Sequence, residues 1–289
     1  MPLPVKSLLQ LGKPQIILPV TLSAFTGYIL FRGEFDGPWL ASAAGVLLLS
    51  SASAVVNQVQ EAGTDRLMER TRRRPIPAGK VGKPTAWILA TILAAAGFSV
   101  LWLCCGMLPA LLALFTLLWY NGIYTPLKKL TAFAVIPGSL VGALPPVIGW
   151  TAAGGDPLHP HILMVAFFFF VGQIPHFWLI MLRHGPDYEL AGFPTLGRIF
   201  SQRQVHALTL GWIAATAMAA LLLPLFGVVS TTFFSAVLLL GTLGLLLSFL
   251  PWFSKREDSI QTGPAFRNIN LFYLLVMLVL IGDGLGVGC

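Results

Sequence analysis

The chain has 289 residues, 56% of them hydrophobic and only 10% charged, with a mean hydropathy of +0.81 and a formal net charge of +7. A soluble domain carries about 25% charged residues, so this composition excludes a soluble globular protein. It points to an all-α, polytopic membrane bundle of about nine transmembrane helices around a central cavity. The basic residues sit in short loops between apolar runs, where they act as topology signals rather than as a nucleic-acid surface.

A spanning helix needs about 20 mainly apolar residues. Nine segments qualify, at 14–32, 38–57, 84–104, 107–124, 132–152, 161–182, 205–226, 229–250 and 268–287. The first follows Lys6 and Lys13 and continues through Tyr28 to Phe31 without a small-residue cleavage site, so it reads as a span. The third and fourth are parted only by Cys105-Gly106-Met107. Cys104, Cys105 and Cys289 have no zinc spacing and give no disulfide framework. The whole chain, 1–289, reads as a single domain with two long loops of interest, 58–83 and 183–204.

With nine spans, Lys6, Lys13, Arg66, Arg70, Arg72, Arg73, Arg74, Lys80, Lys83, Lys128, Lys129, Arg183, Arg198, Arg203, Lys255, Arg256 and Arg267 all fall on one side, and Arg32 on the other. The positive-inside bias then places the N-terminus in the cytoplasm and the C-terminus outside. Of the eleven acidic residues, Glu34, Asp36, Asp156 and Asp283 fall to the outer end, and Glu257 and Asp258 to a charged linker. Glu61, Asp65, Glu69, Asp187 and Glu189 remain, in the two inner loops.

Asn57, Glu61 and Asp65 recur every four residues, and each step of four turns a helix by only about 40°, so the three share one face. Oxygen-bearing groups beside the guanidinium groups of Arg66, Arg70, Arg72, Arg73 and Arg74 suit a divalent cation and a polyphosphate held together. Gly63 lies off that stripe and predicts either a loosened helix end or a close helix contact. In Arg74-Pro75-Ile76-Pro77-Ala78-Gly79-Lys80 the two prolines predict extended backbone at Arg74 and Ile76. Tyr124-Thr125-Pro126-Leu127-Lys128-Lys129 puts a phenol, a hydroxyl and two ammonium groups at another inner helix end.

Gly138…Gly142 is a small-xxx-small contact pattern, followed by Pro145 and Pro146, which predict a bend. The sixth span carries Gln173-Ile174-Pro175-His176-Phe177-Trp178, with Gln173 and His176 on one face. His176 is open to two readings: a hydrogen bond to a neighbouring helix, or contact with a polar aromatic ligand. A transporter, the reading from another functional class, would place its polar groups near the bilayer midplane, and these lie at the inner helix ends.

Taken together, the nine-span layout, Asn57…Glu61…Asp65, Arg70-Thr71…Arg74-Pro75-Ile76-Pro77-Ala78-Gly79 and Tyr124-Thr125…Lys128 resemble the UbiA-type intramembrane prenyltransferases. Gln173-Ile174-Pro175-His176-Phe177-Trp178 and Asp187-Tyr188…Ala191-Gly192…Pro194 are most similar to the haem O synthase (protohaem IX farnesyltransferase) branch. The resemblance implies transfer of a farnesyl group from farnesyl diphosphate to a vinyl group of haem B, with water addition, giving haem O. It implies Mg²⁺ as cofactor, haem B as substrate, and a bacterial cytoplasmic (inner) membrane setting, with haem A synthase or terminal-oxidase assembly factors as partners. Asn57, Glu61, Asp65 and Asp187 would bind Mg²⁺–diphosphate. Arg70, Arg74, Lys80 and Lys128 would neutralise phosphate, with Tyr124, Gln173 and His176 as further substrate contacts. Two positions depart from the pattern: Gly63 and Pro186 stand where the family usually carries acids. The alternatives are a prenyltransferase for a quinone precursor or other aromatic acceptor, and a divergent paralogue with reduced activity.

Overall fold

The computed structural model describes residues 5–254 and 262–287; Lys255, Arg256, Glu257, Asp258 and Cys289 lie outside the described residues. Among the described residues, nine helices are long and apolar enough to cross a membrane: α1 (Pro14–Arg32), α2 (Pro38–Gln60), α3 (Lys83–Cys105), α4 (Met107–Leu127), α5 (Ala132–Ala152), α6 (Pro160–Arg183), α7 (Gln202–Leu225), α8 (Thr232–Phe249) and α9 (Thr262–Gly284). Together with the solved structures it matches, this makes the chain an all-helical integral membrane protein. Gly106 separates α3 from α4 at φ 103, a backbone conformation that suits glycine, so the two apolar runs cannot merge into one span.

Each helix packs on its chain neighbour, and α9 returns against α1, so the bundle closes as a ring. Across it, α1 packs closely on α5, and α6 on α9. The largest apolar cluster lies among α5 to α9 and includes Phe168, Phe272, Ile213 and Leu223. Lipid-facing positions such as Leu103, Leu240 and Met218 stay exposed, as expected where hydrocarbon, not water, surrounds the helices.

Three local expectations change. The helix end at the acidic stripe breaks at Glu61 (φ −100, ψ 3), two residues before Gly63, and resumes as a short Ala62–Asp65 turn. A Cβ on Gly63 would meet nothing within 4 Å, so Gly63 is neither a hinge nor a helix contact. The Pro75-Ile76-Pro77 segment is not one extended stretch. It folds into successive turns, with Ala78 N–H donating to Arg74 O at 2.9 Å and Lys80 N–H to Pro75 O at 2.9 Å. In α5 the regular helix is interrupted at Ser139, ahead of Pro145 and Pro146. α6 runs through Pro175 without interruption.

The small-xxx-small pattern has a clear structural use. A methyl on Gly138 would collide with the Tyr124 ring, and one on Gly142 with the Gln173 side chain. Small residues here let α5 approach both neighbours closely enough to fix those side chains.

Candidate active site

A hollow of about 180 Å³ opens at the bundle end that carries the basic loops. It is walled by Asn57, Glu61, Asp65, Arg70 and Arg74 from α2 and its loop, by Tyr120, Tyr124 and Lys128 from the end of α4, and by Phe177, Tyr188 and Phe193 from α6 and beyond. Lys13 completes it from the start of α1. Asn57 and Asp65 are each 1% exposed and Glu61 6%. Groups this buried must find polar partners or lose stability.

Each does find one. Lys13 Nζ donates to Asn57 Oδ1 at 2.9 Å, and the Asn57 amide N–H donates to Thr125 Oγ1 at 3.4 Å, which fixes the amide's orientation. Lys128 pairs with Glu61. Arg74 Nη1 donates to both Asp65 oxygens, at 3.0 and 2.8 Å. Thr71 Oγ1 donates to the Asp65 carbonyl at 2.9 Å, which holds the loop under the helix end. Burial pushes the Glu61 carboxyl up, but Lys128 and then Lys13 outweigh it and keep it below its ordinary value. Burial, followed by the Arg74 charge, brings the Lys13 ammonium down to about 7.

The backbone works to place these groups. Lys13 has φ 50, the one non-glycine positive φ among the described residues. Such a residue costs about 1–3 kcal/mol and persists only where its surroundings impose it. Here Pro14 disfavours the right-handed helical region for the residue before it. Gln58 Nε2 also donates to the carbonyls of Gln10 (3.2 Å) and Leu11 (2.8 Å), pinning the preceding Val5–Gly12 helix. The far wall uses a π-helical turn, Trp119–Tyr124, whose wider ring brings the Thr125 N–H and its hydroxyl to Tyr120 O. Asn121 anchors that turn to α2 through Ser53 Oγ at 2.8 Å.

The structure therefore brings Asn57, Glu61, Asp65, Arg70, Arg74, Tyr124 and Lys128 to one hollow. Asp187 sits half-buried on the short Gly185–Leu190 helix, outside the lining, although its neighbour Tyr188 is part of the wall. Lys80 is exposed and also outside it. His176 turns toward α9, its ring 4.9 Å from Phe266 and 6.2 Å from Tyr273. Gln173 packs against Gly142 one helical turn deeper than Phe177. Glu189 is held by Thr195 Oγ1 at 2.9 Å.

Residues 18–276 match the UbiA prenyltransferase family. The chain belongs to that family. It is 40% identical over 226 residues to the protoheme IX farnesyltransferase of Geobacter sulfurreducens, covering 77% of this chain and 82% of that one. It is 37% identical over 269 residues to the protoheme IX farnesyltransferase of Oleidesulfovibrio alaskensis, covering 92% of each. Among solved structures, a digeranylgeranylglyceryl phosphate synthase aligns with a TM-score of 0.78 at 12% identity, over 98% of this chain and 99% of that one. A UbiA homologue from Archaeoglobus fulgidus bound to GPP and Mg²⁺ aligns at 0.72 and 13% identity, over 97% and 100%. At such identities these structures establish the shared fold.

As a UbiA-family prenyltransferase, the chain offers a donor set of one amide oxygen and two carboxylates at the hollow, the hard oxygen chemistry that suits Mg²⁺. Among the described residues no three or more His, Cys, Asp or Glu side chains cluster as a metal cage. Mg²⁺ here would therefore need substrate phosphate oxygens as well, its usual habit. In the sequence Lys13 reads only as a topology signal, and Tyr120, Tyr188, Phe177 and Phe193 carry no assigned role. Lys13 beside Pro14 was the one local signal; the π turn that turns Tyr120 inward leaves no such mark.

Proposed function

We propose that this membrane enzyme transfers a farnesyl group from farnesyl diphosphate to a vinyl group of haem B, with addition of water, to give haem O. The observation that carries the reading is the single hollow in which Asn57, Glu61 and Asp65 face Arg70, Arg74 and Lys128 beneath an aromatic wall. The two relatives named above, both called protoheme IX farnesyltransferases, support haem as the acceptor.

The allylic carbon–oxygen bond of farnesyl diphosphate breaks, and the electron pair leaves with diphosphate. The vinyl π electrons form the new carbon–carbon bond. Water captures the resulting cation and loses a proton, so the products are haem O and diphosphate. Asn57, Glu61 and Asp65 would hold Mg²⁺ with the diphosphate, and Asp187 is the proposed contribution of the second loop. Mg²⁺ would supply charge stabilisation for the leaving group. Arg70, Arg74 and Lys128 would place fixed positive charge on the same oxygens; Lys80 would assist capture from the surface. Tyr124, Phe177, Tyr188 and Phe193, which line the hollow, would stabilise the allylic cation through their aromatic rings. Gln173 and His176 would contact the acceptor deeper in the bundle.

The positive-inside pattern supports a bacterial cytoplasmic membrane location with the N-terminus and the hollow on the cytoplasmic side. The product would pass to haem A synthase or to terminal-oxidase assembly. The test is mass spectrometry of the products formed by purified protein from haem B and farnesyl diphosphate. Haem O is the expected product. Prenylated hydroxybenzoate with no haem O, when both acceptors are supplied, would overturn the assignment.

A further inference from the structure

Each of the three side chains proposed to hold the metal is already engaged by a different basic residue: Asn57 by Lys13, Glu61 by Lys128 and Asp65 by Arg74. The three cations come from three separate parts of the chain, the start of α1, the end of α4 and the loop after α2. Arg70 also lines the hollow, so four basic side chains face two acidic ones. A divalent cation entering alone would meet an excess of positive charge and oxygens that already have partners. A diphosphate reverses both conditions, because its oxygens accept from the same lysines and arginine and thereby release the donors.

We propose that Lys13 is a substrate-binding residue for diphosphate, and that Lys13, Lys128 and Arg74 make metal binding conditional on the anion. Lys13 is suited to this. It is the only one of the three that blocks an uncharged ligand oxygen, and its strained backbone and the Gln58 clamp hold the ammonium at the hollow. Lys128 is similarly poised, lying over the Tyr124 ring at 5.6 Å and the Phe193 ring at 6.0 Å. Both rings line the hollow, so the side chain can swing from Glu61 to a phosphate while keeping an aromatic surface beneath it. The exchange leaves the number of charge-assisted contacts at each cation unchanged. This inference rests on the hollow being a prenyl diphosphate site, but not on haem as the acceptor.

The experiment measures protein-bound Mn²⁺ by equilibrium dialysis and electron paramagnetic resonance, with and without inorganic pyrophosphate, on the full chain in nanodiscs. Wild-type protein is expected to retain Mn²⁺ only when pyrophosphate is present. Lys128→Met and Lys13→Met are each expected to bind Mn²⁺ without pyrophosphate, and to bind pyrophosphate about tenfold more weakly, the scale of one lost charge-assisted hydrogen bond. Lys13→Arg should restore the wild-type pattern. Suppression of the gained metal binding in Lys13→Arg separates a freed site from metal bound by misfolded chain. Wild-type retention of Mn²⁺ without pyrophosphate, or methionine variants that bind it no better than wild type, would overturn the proposal. If these variants behave as expected and haem O is not formed, the acceptor assignment fails and this inference stands. If haem O forms with Mg²⁺ while the variants gain nothing, this inference alone fails.

Discussion

The two ends of the bundle use carboxylates in opposite ways. At the end away from the hollow, Asp283 accepts from the backbone N–H groups of Ser230 (2.8 Å) and Thr231 (2.9 Å) and from both hydroxyls, which caps the start of α8. Asp36, half-buried at that same end, is held by the side chains of Tyr28 and Arg32 and stands outside the contrast between Asp283 and the hollow. At the hollow, Glu61 and Asp65 are paired with the tips of a long lysine and a long arginine. A carboxylate satisfied by backbone donors cannot be released without moving a helix. One satisfied by a flexible cation can be handed to a ligand. Burial alone does not separate these cases, since Asp283 and Glu61 are both buried; the nature of the partner does.

Substitution at each end should break this comparison most sharply. Asp65→Asn is expected to lower haem O formation about a hundredfold or more, since it removes an electrostatic contribution to the transition state, while the isosteric amide keeps an acceptor for Arg74 and fills the same space, so the thermal midpoint falls far less than the activity. Asp283→Ala should do the reverse. Its loss leaves capping donors at α8 without an acceptor and costs about 1–2 kcal/mol, seen as a lower melting temperature with an unchanged KM for farnesyl diphosphate. Equal activity losses in the two variants would erase the distinction.

A smaller effect is expected from Gly142→Ala. The added methyl must displace Gln173, and overpacking of this kind costs about 1–3 kcal/mol. The expected signature is a raised KM for the acceptor with the prenyl donor's KM unchanged, measured by steady-state kinetics. An unchanged acceptor KM would remove Gln173 from acceptor contact.

The mildest effect concerns pH at the far end. Hydrogen bonding from Tyr28, with help from Arg32, holds the Asp36 carboxyl below its ordinary value despite partial desolvation. A lowered folded pKa means the stabilisation is present above the unfolded carboxylate range and disappears as pH falls through the folded value. Thermal midpoints of wild type should therefore fall in acid, and those of Tyr28→Phe should fall less. Parallel curves for the two proteins would show that this contact does not couple to stability.

Much of this was legible in the sequence because membrane constraints are strict. Nine apolar runs of helical length admit few arrangements, and eight of the observed spans lie within three residues of the expected bounds; the ninth begins six residues earlier than expected, at Thr262. The Asn57, Glu61 and Asp65 stripe was legible too, since a four-residue period survives the small break at Glu61. What escaped depends on long-range placement. Lys13 reaches Asn57 across 44 residues of chain, and Tyr120 faces inward only because α4 ends in a π turn. Pro75 and Pro77 were read as rigid extension, but Pro75 O and Arg74 O accept the turn hydrogen bonds that a proline nitrogen cannot donate. The acids of the second loop illustrate the remaining gap: Asp187 is close in sequence to the wall but not part of it.

The most direct measurement is haem O yield from haem B and farnesyl diphosphate by the purified enzyme, before and after divalent metal is removed with a chelator and then restored as Mg²⁺. Product is expected to disappear on removal and to return on restoration. Undiminished haem O in the chelated sample would contradict the claim that the buried oxygens of Asn57, Glu61 and Asp65 act by gripping a metal-bound diphosphate.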